Sequence, residues 1–600
     1  MPFGAEVQGD ATRFRLWAPG ARSVELWLED EKRALAMPRD PEGWAELTVR
    51  ETPAGTRYRF RIDGELLVPD PASRCQPDGV HGPSEVVDPF AYRWSDTGWD
   101  GIPAERLIFY EVHVGAFTRG GSFAALAERL DHLASLGVTA LELMPVGEFP
   151  GRRGWGYDGV LPFAPEARYG RPDELKALVD AAHARGLAVV LDVVYNHFGP
   201  EGNYLHPYAP AFFNPRHRTP WGDAINFDGA GSAVVRAFVV HNAVHWLEEY
   251  HMDGLRLDAV HAIGDDSPSH VLVELARAVA EGPGSERRIH LVLENDGNEA
   301  RYLARHGARP LYQAQWNDDL HHALHVLLTG ERGGYYADYQ PAQSALGRAL
   351  TEGFVYQGDH SGYRGRRRGE PSRDLPPTAF VGFLQNHDQV GNRAFGERVT
   401  ALAPPEAVRA ATAVLLLAPE LPLLFMGQEW GAVQPFLFFS DLGPDLGPAV
   451  AHGRRREFAR FPEFADPVAR ERIPDPQAPE TFERSVLDWS AADRPEGRDW
   501  LDFHRALLRI RHAEIAPLLT GEPVPRTGWS RLGKAGVEIE WAFDGRRVLR
   551  LIVNLGPEPV PHPGPPPEWG RQLYALGLGA PGVPELPPWG VGWYLAERER

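Results

Sequence analysis

The period of the hydrophobic positions changes twice along this 600-residue chain. Up to about residue 95 apolar and polar residues alternate in short runs: Thr12 to Leu16 (TRFRL), Val24 to Leu28 (VELWL) and Tyr58 to Ile62 (YRFRI), separated by Pro, Gly and Asp. Period two between turn residues predicts antiparallel strands with one buried face, hence an N-terminal β-sandwich over residues 1–95. Pro69 to Pro89, rich in Pro, Gly and Asp, predicts irregular coil leading onward. From about residue 105 the alternation gives way to continuous apolar runs separated by helical stretches, such as Phe123 to Leu136 and Pro172 to Arg185. Apolar runs of strand length fit strands buried on both faces, as in a parallel sheet covered by helices.

Eight such runs begin near Leu107, Ala140, Ala188, Gly254, Ile289, Pro310, Thr378 and Leu421. They predict a multidomain α/β chain with a central (β/α)8 TIM barrel over residues 96–515. A stretch of low periodicity from about Phe198 to Asp228, after the third strand, is long for a βα connection and reads as an excursion that shapes a cleft. Past a helical stretch near Trp500 to His512, Val537 to Phe543 (VEIEWAF) and Val548 to Val553 (VLRLIV) return to period two. A small C-terminal β domain over 516–600 is expected.

Composition narrows the function. A formal charge of -20 would repel a phosphate backbone, so no nucleic acid is expected as partner, and the basic runs at 364–368 and 454–456 read as solvated loop charge. A single cysteine, Cys75, excludes an internal disulfide and any CxxC metal site. No run approaches a membrane span, and the N-terminal MPFGAEVQGD lacks the charge and apolar core of a secretion signal, so a cytoplasmic protein is expected. No GxGxxG or Walker sequence follows a strand.

Four of the apolar runs end in chemistry: Leu187 to His197 (LAVVLDVVYNH), Gly254 to His261 (GLRLDAVH), Ile289 to Asp296 (IHLVLEND) and Thr378 to Asn392 (TAFVGFLQNHDQVGN). Strand C-termini meet at the active face of a barrel, so Asp192, Arg256, Asp258, Glu294, His387 and Asp388 are expected to converge. Several carboxylates with an arginine and histidines suit hydrolysis of a glycosidic bond, which needs a nucleophile, a proton donor and charge to steady an oxocarbenium-like transition state. Arg256 and Asp258, two apart on a strand, point the same way, so the arginine can orient an ionised nucleophile. Glu294 follows Val292 and Leu293, an apolar setting that favours the protonated acid.

In order and spacing, DVVYNH, GLRLDAVH, LVLEND and FLQNHDQVGN resemble the four signature regions of the α-amylase superfamily, glycoside hydrolase family 13. The resemblance implies Asp258 as nucleophile, Glu294 as general acid/base and Asp388 as transition-state stabiliser. It implies Asp192 and Arg256 as residues that order the nucleophile, and His197 and His387 as donors to the sugar in subsite -1. Tyr157 in WGYDG (Trp155 to Gly159) matches the superfamily's sugar-stacking tyrosine, with Trp155 and Asp158 beside it as substrate-binding candidates. Asn196 resembles a calcium ligand of some amylases but has no evident partners, and neither cofactor nor metal is expected.

A sandwich in front of the barrel is typical of branching, debranching and trehalose-releasing members. NHFGPEGNYL (196–205), QWNDDLHHALH (315–325), QNHDQVGNRAFGER (385–398) and QPFLFFSD (434–441) resemble the trehalose-releasing branch. That resemblance implies cleavage of the α-1,4 bond beside a terminal α,α-1,1-linked disaccharide. Maltooligosyltrehalose would be the substrate, maltooligosaccharides would be products, and an isomerase that forms the substrate would be a functional partner. A glycogen-branching transferase is the alternative. Where amylases often carry Lys-His after the nucleophile region, this chain has Val260 and His261, which suits a leaving group without a reducing end. Asp318, Asp319, His321 and His322, just past the sixth strand, together with Gln389 and Asn392, complete the candidate substrate contacts. Asp318 or Asp319 could equally serve a helix N-terminus, and the His pair could suggest a metal.

Overall fold

In a computed structural model, the structure describes residues 2–597 apart from 220–221, 307–308, 460, 462–463, 465, 521–523, 563, 565–566 and 579–583. Eight parallel strands close into a barrel: β1 (Phe109–Val112), β2 (Ala140–Leu143), β3 (Ala188–Val193), β4 (Gly254–Leu257), β5 (His290–Leu293), β6 (Ala314–Trp316), β7 (Phe380–Phe383) and β8 (Leu421–Phe425). All eight follow runs read from the sequence, though β6 starts at Ala314 rather than near Pro310. The helix expected over Phe123 to Leu136 is two helices, Phe123–Ala127 and Leu130–Leu136. The second ends at Gly137 in the left-handed region (φ 103°), where glycine bears no Cβ penalty.

Period two inside the barrel separates two layers. At the N-terminal end the filling is apolar: Phe109, Ala140, Ala188, Val190, Val292, Ala314, Val381 and Leu421 form one buried cluster. Two residues further along β1 to β4 the register brings polar groups level, with Glu111 opposite Glu142 and Asp192 opposite Arg256. A charged layer thus rests on a dry one, where the low dielectric strengthens every pairing made.

The N-terminal strands form two antiparallel sheets, one of Gly4–Gln8, Ala11–Trp17 and Trp44–Arg50, the other centred on Val24–Leu28 and Arg57–Ile62. Phe14 packs edge-on against Tyr58 at 4.8 Å between them. The presumed coil contributes a strand pair of its own, Ser84–Glu85 against Arg57–Ile62. The sandwich seats on the barrel through Phe3 against Phe238 (5.3 Å) and a nearly buried Arg74–Glu249 ion pair (2.9 Å). The excursion after β3 carries a hairpin, Phe213–Thr219 with Gly222–Ile225. At the other end a five-stranded antiparallel sheet between Arg526 and Glu597 packs Trp541 and Trp593, stacked at 5.7 Å, against the barrel helices, where their indole N–H groups donate to the carbonyls of Leu350 and Ala413.

Candidate active site

Arg256 organises the C-terminal mouth of the barrel. It is fully buried, and its guanidinium lies 4.0 Å over the Trp316 ring from β6, a face that stabilises a cation. Nη1 donates to both Asp192 oxygens (2.9 and 2.8 Å) and to Asp258 Oδ1 (2.9 Å), and Nη2 stands 4.0 Å from Glu294 Oε2. Asn196 Nδ2 donates to the other Asp258 oxygen (2.9 Å) and to the Asp258 carbonyl (2.8 Å). Asn196 therefore orients Asp258.

Glu294 is held at that same oxygen by the backbone. Ala259, next after Asp258, adopts a left-handed conformation (φ 39°), uncommon for a residue with a Cβ, and its N–H donates to Glu294 Oε2 at 2.6 Å. Burial holds the Glu294 carboxyl well above the usual range; Arg256 opposes the shift, and Asp258, Asp318 and Asp388 reinforce it. A protonated acid and an oriented carboxylate thus share one guanidinium. Such a pair can donate a proton to one side of a bond and attack the other.

His387 and Tyr157 close the mouth. Tyr157 donates to Asp192 Oδ2 (2.6 Å), lies 2.8 Å from His387 Nε2 and stacks on that ring at 5.3 Å. Burial pushes Asp192 up to about 7 against the pull of Arg256. His197, held by burial below the usual imidazole range, faces Asp258 and the Tyr157 carbonyl. Asp388 remains 42% exposed, receives Asn392 Nδ2 at 2.9 Å and lies 3.6 Å from His387 Nε2.

On the rim, Gln389 Nε2 donates to Asp318 (3.0 Å), whose carboxyl burial raises to about 7, and exposed His261 accepts the Asp296 N–H at 3.2 Å. Asp158, half-buried, has its carboxyl pushed up to about 6 by burial.

Four expected contacts are not offered to a ligand. The Asp319 carboxylate, 0% exposed, pairs with Arg368 (2.7 Å) and accepts from Tyr339, Asn298 and the Val355 N–H. His321 lies 2.8 Å from the Leu384 carbonyl through Nδ1 and stacks on Phe383, while His322 is nested among Tyr335, Tyr336 and Tyr339. Burial holds both rings well below the usual imidazole range. Trp155, 5% exposed, donates to the Leu437 carbonyl, stacks on Phe436 and packs edge-on against His387. Internal partners already satisfy the Asp319 carboxylate and the Trp155 indole N–H, whereas His321 and His322 are shut away by burial among rings, with His321 Nε2 and His322 Nδ1 left without a hydrogen-bond partner.

Glu111, Trp316 and the Ala259 N–H were missed as parts of the site, and Asn196 was read for a likeness to a calcium ligand rather than as a partner of Asp258. Glu111 had a sequence signal, as a carboxylate near the C-terminal end of the first apolar run, and Asn196 and Trp316 lay within the sequence motifs without a role at the nucleophile being drawn from them. Among the described residues one group of potential metal ligands comes together, His217, Asp228 and Asp266 on and beside the excursion hairpin, and Asp228 is already paired with Arg216 and His217.

Residues 88–210 match the α-amylase catalytic domain, residues 2–91 the carbohydrate-binding module 48 (isoamylase N-terminal domain) and residues 526–593 a domain of unknown function (DUF3459). Barrel, front module and buried carboxylates define a glycoside hydrolase of the α-amylase class. Several relatives span most of the chain, among them the following two. The malto-oligosyltrehalose trehalohydrolase of Rhizobium sp. (strain M-11) is 42% identical, covering 92% of this chain and 92% of its own. That of Saccharolobus solfataricus is 42% identical, covering 85% and 87%. A Salmonella typhimurium crystal structure, described as a candidate α-amylase, superposes with a TM-score of 0.93 at 45% identity over 99% of both chains. The chain belongs to the malto-oligosyltrehalose trehalohydrolase family.

Proposed function

We propose that this chain hydrolyses the α-1,4-glucosidic bond next to the terminal trehalose unit of maltooligosyltrehalose, with retention at the anomeric carbon. The observation that carries the reading is the arrangement around Arg256, which places Asp258 and Glu294 on one buried guanidinium. Asp258, ionised between Arg256 and Asn196, attacks C1 of the glucose in subsite -1. Glu294 gives its proton to the departing glycosidic oxygen, and trehalose leaves. The glycosyl-enzyme ester is then hydrolysed by a water that Glu294, now ionised, deprotonates, releasing the maltooligosaccharide. Asp388 is the stabiliser of the oxocarbenium-like transition state, and its exposure leaves it free to meet sugar hydroxyls. Tyr157 offers a ring to the sugar face. An isomerase that converts a maltooligosaccharide end into the trehalose-ended substrate is the functional partner this reaction calls for.

The test is chromatographic. Incubation with maltotriosyltrehalose should release trehalose rapidly, with little action on maltopentaose or amylose. New α-1,6 branches in amylose would instead assign a glucanotransferase.

A further inference from the structure

Glu111 ends β1, is 1% exposed and has no part in the reaction just described. Both its oxygens face His387. Oε2 accepts the His387 backbone N–H at 2.9 Å, and Oε1 meets ring Nδ1 in a short contact. Across the ring, Nε2 lies 2.8 Å from the Tyr157 hydroxyl, which lies 2.6 Å from Asp192 Oδ2.

The protons in this chain can be counted. A tyrosine hydroxyl has one hydrogen to donate, and Arg256 holds Asp192 on both oxygens as an acceptor. Above about pH 7, where Asp192 is ionised, the Tyr157 proton points to Asp192, and the Tyr157 oxygen is left to accept. Nε2 then carries a hydrogen, and Nδ1 carries another toward Glu111. An imidazole with two N–H groups is a cation.

We propose that Glu111 is a positioning residue that keeps His387 as a buried imidazolium, and thereby sets the direction of the hydrogen bonds running from His387 through Tyr157 to Asp192 and Arg256. The inference rests on the proposed function only in giving that chain a task, the ordering of Asp258 through Arg256.

The surroundings agree. Asp388, on the helix that His387 begins, is 3.6 Å from Nε2. Glu142 on β2, opposite Glu111, is held well above the carboxylate range, first by burial and then by Glu111, and so stays neutral. His113 beyond β1 is held neutral by burial, at about 4, and the rings of Trp155 and Trp316 cover the remaining sides. Arg256 opposes a second cation, and Asp192 favours it. Burial likewise disfavours the charge, yet Glu111 and Asp388 outweigh it and push His387 up to about 9.

The test is a titration of the ring nitrogens in the full-length protein labelled with 15N-histidine, the His387 signals being assigned by their loss in His387→Asn. At pH 8 both nitrogens should be protonated, with titration near 9. In Glu111→Gln, which keeps an acceptor but removes the charge, the midpoint should fall by about 1–3 units. The ratio of Glu111→Gln to wild-type turnover on maltotriosyltrehalose should rise as pH falls from about 8 to 5.5, because protons then restore what Glu111 supplied.

An Nε2 without hydrogen at pH 8 in the wild type, an unchanged midpoint in Glu111→Gln, or a turnover ratio independent of pH would each overturn the inference. The wild-type titration decides even if Glu111→Gln does not fold. Because the ring titration needs no substrate, it also separates failure of this inference from failure of the functional reading.

Discussion

Two short segments of this chain begin alike and end in opposite roles. Asn386-His387-Asp388 follows β7 and Asn317-Asp318-Asp319 follows β6. In both, the asparagine caps a helix, Asn386 accepting the Gln389 N–H and Asn317 the Leu320 N–H. In both, the second residue of the helix is an aspartate. Asp388 is 42% exposed in the mouth of the barrel, whereas Asp319 is 0% exposed and locked to Arg368. What separates them is the cover supplied by the next connection. The long segment between β6 and β7 folds back as the turn Gly334–Asp338 and the pair Asp359–Ser361 with Arg366–Arg368, which delivers Tyr339 and Arg368 to Asp319. For these two aspartates, whether the carboxylate can meet a substrate is decided by the chain that follows.

The largest effect lies where the pairing is reactive. Asp258→Ala and Glu294→Gln should each lower kcat about ten-thousandfold while the circular dichroism spectrum stays native, since each removes an interaction specific to the transition state. Near wild-type turnover in either would overturn the assignment. Matching substitutions should separate the two aspartates. Asp388→Asn should abolish most turnover with the melting temperature unchanged. Asp319→Asn should instead cost about 3 kcal/mol of stability by removing the nearer carboxylate from buried Arg368 and leaving it only Asp296, at 3.5 Å, as an ion-pair partner, with turnover per folded molecule largely kept. If denaturant unfolding and kinetics give the reverse pattern, the two aspartates have been read the wrong way round.

A smaller difference should appear with pH. Burial works against the Asp319 charge, but Arg368 and Tyr339 hold its carboxyl below the usual range. Its contribution to stability is therefore complete above an unfolded value of about 3.9 and is lost as pH falls through the lower folded value. His322 runs from a different origin. Burial holds it neutral, so the unfolded chain binds the extra proton and stability falls as pH drops below about 6.5. His322→Phe, nested among three tyrosines, should flatten melting temperature against pH between about 6.5 and 4.5. An unaltered slope would place the protonation elsewhere. Smallest of all, His261→Ala should alter the ratio of rates on trehalose-ended and plain maltooligosaccharides with the melting temperature nearly unchanged, and an equal ratio would refute that role.

Much of the site was legible because strand ends impose it. Parallel strands of one barrel must deliver the ends of DVV, LRLD, VLE and LQNHD to one face, so Asp192, Arg256, Asp258, Glu294, His387 and Asp388 could be gathered without coordinates. The same rule read too much into residues 318–322. Asp319, His321 and His322 lie on the helix Asp318–Thr329, where position around the axis decides exposure, and Asp319 and His322 face rings from residues 335–339 that no local pattern assigns to them.

The order and type of the major elements, the apolar filling of the barrel and the identity of its charged residues follow from the sequence alone, because period and strand-end position are properties of neighbours along the chain. The direction of the hydrogen bonds, the covering of Asp319, the turn at Ala259 and the pairing of Glu111 with His387 were decided only in the folded molecule. Glu111 and His387 stand 276 residues apart, and a contact between such distant positions exists only once the barrel has closed.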